Sequence, residues 1–198
     1  NVSEGNAFTG TAFAEVKFLQ DFKFTFNVGT GVDGRRHTSM NNMYYGQFAT
    51  NGGTLYKEHE QKFYVNLQQL LSYDRTFGDV HNIGLLLGHE TYRMNNVSVS
   101  GYKTNMFSID NLELGGAVID GQQAASSRSE YNNEGFFFRA QYDYADRIFL
   151  SGSYRLDASS RFHPDHRWGN FWSLGGGWII NQENWFPRLP WIDMLKIK

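Results

Sequence analysis

Hydrophobic and polar positions alternate with a period of two through most of this chain, the spacing of a strand with two chemically different faces. The pattern is cleanest where Phe22, Phe24, Phe26, Val28 and Val32 alternate with Lys23, Thr25, Asn27, Gly29 and Asp33. A helix would scatter those phenylalanines around its circumference. The same pattern returns from Gly135 onward. Phe136, Phe138, Ala140, Tyr142 and Tyr144 alternate with Gly135, Phe137, Arg139, Gln141 and Asp143. After a turn at Ala145 and Asp146, Ile148, Leu150, Gly152, Tyr154 and Leu156 alternate with Phe149, Ser151, Ser153, Arg155 and Asp157. These two runs predict an antiparallel hairpin with one aromatic face and one mostly polar face.

Further strands are expected at Phe8 to Phe18, at Lys62 to Asp74 and at Val80 to Arg93. A seventh carries Trp172, Leu174, Gly176, Trp178 and Ile180 on one side, and MLKIK begins an eighth. Gly84 and Gly88, inside the fourth strand, are expected to allow close packing against a neighbouring backbone or an interior plug. Between the strands lie a turn at Leu19 to Asp21, a polar segment from Gly34 to Gln61, a turn from Arg75 to Asp79, a second polar segment from Met94 to Asn133, and a loop from Ser159 to Gly169. Both polar segments are expected as long loops, with Gly121 to Ser129 mobile. Short and long connections therefore alternate strictly. In antiparallel order this gathers tight turns at one end of the sheet and long loops at the other, as in outer-membrane barrels. A β-sandwich has no reason to sort its loops this way. One connection departs from the rule, because Gln182 to Asp193, with Pro187 and Pro190, is long where a short one is due.

Composition supports the same picture. Aromatics are 17% of the residues although the mean hydropathy is polar, at -0.51. A transmembrane barrel combines these because only alternate residues face lipid. The longest apolar runs are too short for a membrane-spanning helix. The absence of cysteine excludes a disulfide scaffold or thiolate metal site, and a net charge of -2 argues against nucleic acid as a partner. Beginning at Asn1 and stopping within a strand-like run, the chain is expected to be a slice of something larger.

The run YRLDASSRFHPDHRWGNFWSLGGGWII (Tyr154 to Ile180), followed by WIDMLKIK, resembles the barrel of SusC/RagA-like TonB-dependent outer-membrane transporters. The matching residues are Arg155, Asp157, Ser159, Ser160, Arg161, Phe162, Pro164, Asp165, Arg167, Trp168, Gly169, Gly177 and Trp178; YVNLQQLLSYDRTFG and LLLGHETY are also similar to the family. The resemblance implies that residues 1–198 are part of a TonB-dependent receptor barrel, toward its C-terminal end, with an interior plug domain elsewhere. It further implies a location in the outer membrane of a Gram-negative bacterium, with lipid around the wall. The partners it implies are a SusD-like surface lipoprotein that lids the barrel, the TonB-ExbB-ExbD energy-coupling complex, and a glycan or peptide substrate. Cofactors are not implied.

Candidate residues fall into three groups. Arg139, Asp143, Arg155, Asp157 and Arg161 are placed on the polar faces, hence toward the lumen, where they contact a plug, steer solute or satisfy one another as cross-strand ion pairs. Tyr44, Tyr45, Phe48 and Tyr56, amid Asn and Gly in the first long loop, suit stacking on sugar faces and equally suit packing of the loop on itself or on a partner lid. Trp168, Trp172, Trp178, Trp185 and Trp191 are read as anchors at the membrane interface. His163, Asp165 and His166 offer ligand-type side chains, but in a spacing without a second cluster they are read as a solvated rim loop. Glu90 beside His89, and Glu58 with His59 and Glu60, lack a nucleophile or glycine-rich elbow, so no enzyme is expected. The expected fold is all-β: an antiparallel transmembrane β-barrel segment of about seven strands plus the start of an eighth. The expected function is nutrient import. The alternatives are a carbohydrate-binding β-sandwich, in which Phe22, Phe24, Phe26, Phe136 and Phe138 would be buried against a second sheet of this chain, and a passive porin.

Overall fold

The computed structural model describes residues 1–187 and 191–198, with the side chains of 120–123 left aside. It contains an eight-stranded sheet whose strands neighbour one another in sequence order. They are β1 (Val2–Phe18), β2 (Phe22–Asn41), β3 (Thr54–Phe77), β4 (His81–Met106), β5 (Ala117–Tyr144), β6 (Ile148–Ser159), β7 (Trp168–Ile179) and β8 (Lys196–Ile197). Seven strands and a short eighth match the expected count. Phe24, Phe136 and Phe138 are exposed. No second sheet covers them among the described residues, which overturns the sandwich alternative.

The strands are longer than the alternation indicated. β2 continues to Asn41 and β3 begins at Thr54, so most of Gly34 to Gln61 is strand. β4 continues to Met106 and β5 begins at Ala117, so most of Met94 to Asn133 is strand too, including the stretch expected to be a mobile loop. The physical reason is that these extensions are largely polar on both faces, with apolar alternation only as short as Val97 and Val99, too brief to mark strands of this length. Cross-strand polar bonds hold them instead: Asn96 Nδ2 donates to Glu60 Oε1 at 2.7 Å, Ser98 and Ser127 hydroxyls meet at 2.8 Å, and the Ser3 hydroxyl lies 2.8 Å from His37 Nδ1. The alternation of connections survives, with residues 19–21, 78–80 and 145–147 against 42–53, 107–116 and 160–167. The connection at 180–195 is the long exception, and Pro190 within it lies outside the described residues.

Two compact units share these strands: 1–10, 29–65 and 93–131 form one, and 11–28, 66–92 and 132–198 the other. The first unit holds a small core of Leu55, Met106 and Ala117, with Met40, Met43, Leu112 and Leu114 packed around it. The loop 42–53 is tied to the end of β4, where the Met106 amide donates to the Gly52 carbonyl at 2.8 Å.

The second unit is built on three tight hairpins. Leu19 and Gln20, Gly78 and Asp79, and Ala145 and Asp146 all have positive φ. Two successive left-handed residues match the right-handed twist of the flanking strands. The β5–β6 turn is further held by the Asp143 carboxylate, whose Oδ1 accepts from the Asp146 amide at 3.0 Å. β5, β6 and β7 pair antiparallel with Phe138 opposite Tyr154 and Tyr154 opposite Trp172.

Ala145 at φ 52 and Asp146 at φ 56 lack the freedom of glycine in this region. Replacing the pair by an asparagine followed by a glycine (Ala145→Asn with Asp146→Gly) is expected to stabilise the hairpin by about 1 kcal/mol. A rise in the urea midpoint of the refolded full-length protein in detergent checks this; an unchanged or lower midpoint contradicts it.

Candidate functional site

On the polar face of the second unit, alternation along β5 sets Gly135, Phe137, Arg139, Gln141 and Asp143 side by side. The register then brings in their β6 partners: Gly135 faces Asp157, Phe137 faces Arg155, Arg139 faces Ser153 and Asp143 faces Phe149. Arg139, Asp143, Arg155 and Asp157 therefore share one face, as their spacing predicted. Arg161 does not. It lies beyond the end of β6 in the connection 160–167, where Ser160 turns back to donate to the Asn132 carbonyl at 2.9 Å, and strand parity no longer applies.

These charges do not pair straight across adjacent strands. Arg155 Nε donates to both carboxylate oxygens of Asp157, at 2.8 and 2.7 Å, two residues along the same strand. Its Nη2 lies 3.8 Å from Glu90 Oε1 on β4, reaching across β5 to do so. Glu90 in turn accepts from Gln68 Nε2 at 3.3 Å, and Gln68 accepts from Asn27 Nδ2 at 2.9 Å. The result is a polar ladder crossing from β2 to β6, with the Arg155 guanidinium 5.4 Å from the Phe137 ring centroid.

The ladder depends on a gap in β5. A Cβ on Gly135 would stand 2.5 Å from Asp157 Oδ1 and 3.3 Å from Arg155 Nη2. Gly88 does the same for Phe137, whose ring covers it. At Gly88 the close approach is made by the Phe137 side chain of the neighbouring strand. Partly exposed ion pairs contribute at most about 1 kcal/mol each, so the ladder orders the wall more than it stabilises it.

Closer to the hairpin turns, Asp143 Oδ1 also accepts from Asn82 Nδ2 at 3.0 Å, and Arg75 reaches Asp21 at 3.2 Å. Between the ladder and these pairs lies a broad open depression of about 1140 Å³. Its floor includes Gly84, Ser151, Gly175 and Gly177, so another backbone can approach the sheet closely there.

The opposite face is aromatic and bounded by two rows. His81 Nδ1 sits 2.7 Å from the Tyr142 hydroxyl, with its ring 5.1 Å from Tyr144. Eight residues along β4, His89 lies between Gln69 Oε1 at 2.7 Å and Glu134 Oε1 at 3.0 Å, stacked on Phe136, which packs against Trp168. Exposed Leu87 and Phe138 fall between those rows, and Phe24, Leu150 and Leu174 are exposed on the same face. Eight residues of strand tilted by about 40° cover about 20 Å along a membrane normal, close to the apolar band of a barrel. Trp168 belongs to one row, whereas Trp172 lies between Trp168 and Trp178 on β7. Trp178 donates to Glu183 at 3.1 Å and packs on Trp185.

In the first unit, Tyr44 and Tyr45 are 70% and 73% exposed on the loop 42–53. Phe48 in the same loop is half-buried, and its carbonyl accepts from the Asn51 and Gly53 amides. Tyr56 is not in the loop: it lies in β3, half-buried, its ring 6.2 Å from that of His37. The early start of β3 removes it from the loop cluster. Pro164–His166 form a 3₁₀ turn capped by His163, which accepts from the Asp165 amide at 3.4 Å. Sequence reading missed the role of Glu90, which had only His89 as a visible neighbour. The readable signal was the pair of glycines at 88 and 135, each making room for a large side chain from a neighbouring strand.

No family model matches the chain. It is 27% identical over 157 residues to TonB-dependent receptor P39 of Formosa agariphila, an overlap of 75% of this chain and 14% of that protein. It is 26% identical over 204 residues to TonB-dependent receptor SusC of Bacteroides thetaiotaomicron, covering 99% of this chain and 19% of SusC. The chain thus spans less than a fifth of the length of these relatives. Among solved structures, the RagAB peptide importer in its open-open state superposes with a TM-score of 0.86 over 98% of this chain and 21% of that chain, at 20% identity. That likeness shows the fold.

Gly135→Val is expected to force Arg155 from Asp157 and to destabilise the full-length protein by about 1–3 kcal/mol. Combining it with Asp157→Ala removes the colliding carboxylate. Urea unfolding should then show the double variant losing less than the sum of the two single changes; strict additivity would mean that the gap serves no such contact.

Proposed function

This chain is a SusC/RagA-like β-barrel segment similar to TonB-dependent receptors, and from that premise we propose that it supplies wall and external loops of an energy-coupled outer-membrane importer. The observation that carries the reading is the exposed aromatic face, bounded by the His81–Tyr142 and His89–Glu134 rows and left uncovered by any other element among the described residues. In water such a face is an aggregation hazard; against hydrocarbon it is the surface a barrel wall requires. The polar face, with Arg139, Asp143, Arg155 and Asp157, then borders the lumen. Its glycine-floored depression accommodates the plug domain, and TonB-ExbB-ExbD acts through parts of the protein outside this chain.

The cargo is a glycan. Support comes from Tyr44 and Tyr45, exposed rings in a loop whose neighbours Asn42, Gln47 and Asn51 supply amide hydrogen-bonding groups, a combination suited to sugar faces. The same loop is available to a SusD-like lid. A peptide cargo is the second reading, favoured by the fold likeness to the RagAB peptide importer.

Deleting the full-length receptor is expected to abolish growth on one oligosaccharide class while leaving growth on peptides intact, and loss of TonB should reproduce the defect. Growth lost on peptides alone favours the second reading, and uptake independent of TonB makes the protein a porin. Tyr44→Ala with Tyr45→Ala should weaken oligosaccharide binding by about tenfold, at about 0.5–1.5 kcal/mol per ring, with unchanged outer-membrane abundance.

A further inference from the structure

Arg139 stands on the polar face of the second unit without a partner in the sheet. Its side chain is exposed and makes no ion pair, hydrogen bond or ring contact among the described residues. Arg155 shows the contrast, since Asp157 accepts two hydrogen bonds from it and Glu90 stands 3.8 Å away. Both of those carboxylates are thereby taken, and Phe137, next to Arg139 on that face of β5, lies under the Arg155 guanidinium. Toward the hairpin turn, Asp143 already accepts from the Asn82 side-chain amide and the Asp146 backbone amide. Asp74 of β3 lies against Gly84 of β4, so β4 separates it from β5.

The surface beside Arg139 is built of small side chains. Ser153 lies opposite it on β6, and Ser173 lies opposite Ser153 on β7. One rung nearer the turn, Gln141 faces Ser151, and Ser151 faces Gly175. The Ser153 and Ser173 hydroxyls meet each other at 2.7 Å, and neither bonds the guanidinium. Arg139 is three residues along β5 from Tyr142 and five from Glu134, the members of the two rows that bound the aromatic face. With a strand tilt of about 40° it lies about 8 and 13 Å inside those rows, level with the apolar band on the other side of the sheet.

We propose that Arg139 is the docking point for a carboxylate carried by a segment of the same polypeptide outside residues 1–198, which lies in the lumen on the serine and glycine floor of β6 and β7. Three features select this occupant. An arginine at membrane depth faces the interior and takes an acidic partner there, and its planar fork matches both oxygens of a carboxylate. A floor without large side chains lets a backbone come into contact with the sheet beside the guanidinium. A cargo would meet Arg139 only in passage and leave it unpaired between transits, whereas a fixed carboxylate satisfies it at rest. Sequence for such a segment is ample in the relatives, where more than four fifths of the length lies outside the stretch that this chain matches.

The inference rests on the membrane reading above and adds to it the charge that the interior domain presents to this wall. The test uses the full-length receptor in outer-membrane vesicles. Arg139→Lys keeps the charge and supplies an amine, which a water-soluble carbodiimide joins as an amide to a carboxylate in contact with it, the reagent taking up the water released. Peptide mass spectrometry then identifies the acid. The expected product joins position 139 to an aspartate or glutamate outside residues 1–198, and changing that acid to its amide should lower the yield at least tenfold. Arg139→Glu should loosen the joined segment and raise its cleavage by added chymotrypsin at least fivefold, and an arginine placed at the identified acid in that background should restore protection. An amide formed only with Asp74, Asp143 or another carboxylate of this sheet means that the sheet satisfies Arg139 itself. An amide formed only with an added acidic oligosaccharide means that the guanidinium meets cargo. Either result overturns the proposal while the membrane reading stands, as does the absence of any product or equal cleavage of wild type and Arg139→Glu. Absence of the receptor from the outer-membrane fraction defeats the membrane reading and the docking point with it.

Discussion

The structure depends on one constraint: every backbone amide and carbonyl of a strand bordered by hydrocarbon must be paired by a neighbouring strand, because no water is there to replace the bond. A sheet that obeys it needs no thick core. Leu55, Met106, Ala117 and Ile179 are the buried apolar side chains among the described residues. Order comes instead from the ladder of backbone bonds between consecutive strands, from left-handed two-residue turns, and from side-chain bonds that cross the sheet. Each strand then needs only to keep its two faces distinct, and the chemistry of each face is free to differ.

The polar face uses that freedom in a particular way. Arg155 is satisfied twice, by Asp157 along its own strand and by Glu90 two strands away, because Gly135 leaves the intervening position empty. A side chain there would leave Glu90 and Arg155 without line of contact. Phe137, adjacent on β5, fills the space over Gly88 and gives the guanidinium an aromatic surface. Large and absent side chains thus alternate across strands so that charge can be paired over a distance no directly opposed pair would span.

Legibility in the sequence followed the same physics. Where one face is apolar, as at Phe22 to Val28 or Phe136 to Tyr144, the period of two announced the strand, and the turn at Leu19 to Asp21 fell where the structure has it. Where both faces are polar, as at Thr54 to Gln61, or the apolar alternation is as short as Val97 and Val99, little distinguishes strand from loop, and Tyr56 was assigned to a loop on that account. Face membership could be counted along β5 and β6, so Arg139, Asp143, Arg155 and Asp157 were placed together. Arg161 was placed with them by the same count, which ran past the strand end at Ser159. The link to Glu90 was hidden because register between distant strands is set by the turns and by packing, neither of which a single strand displays.

His89 shows what such a register can hide. In sequence it is a histidine beside a glutamate, Glu90, and the obvious pair is those two. Adjacent residues on a strand point to opposite faces, so that pair cannot form. The structure sends Glu90 to the polar ladder and His89 to Glu134 on the aromatic face. A charged pair in the middle of an apolar band would carry a large desolvation penalty, whereas at its boundary the carboxylate and imidazole remain within reach of water. The position of His89, Glu134 and Trp168 at one limit of the exposed aromatic face is therefore what the membrane reading requires of them, and two neighbouring residues serve two solvents because a single peptide step separates the faces.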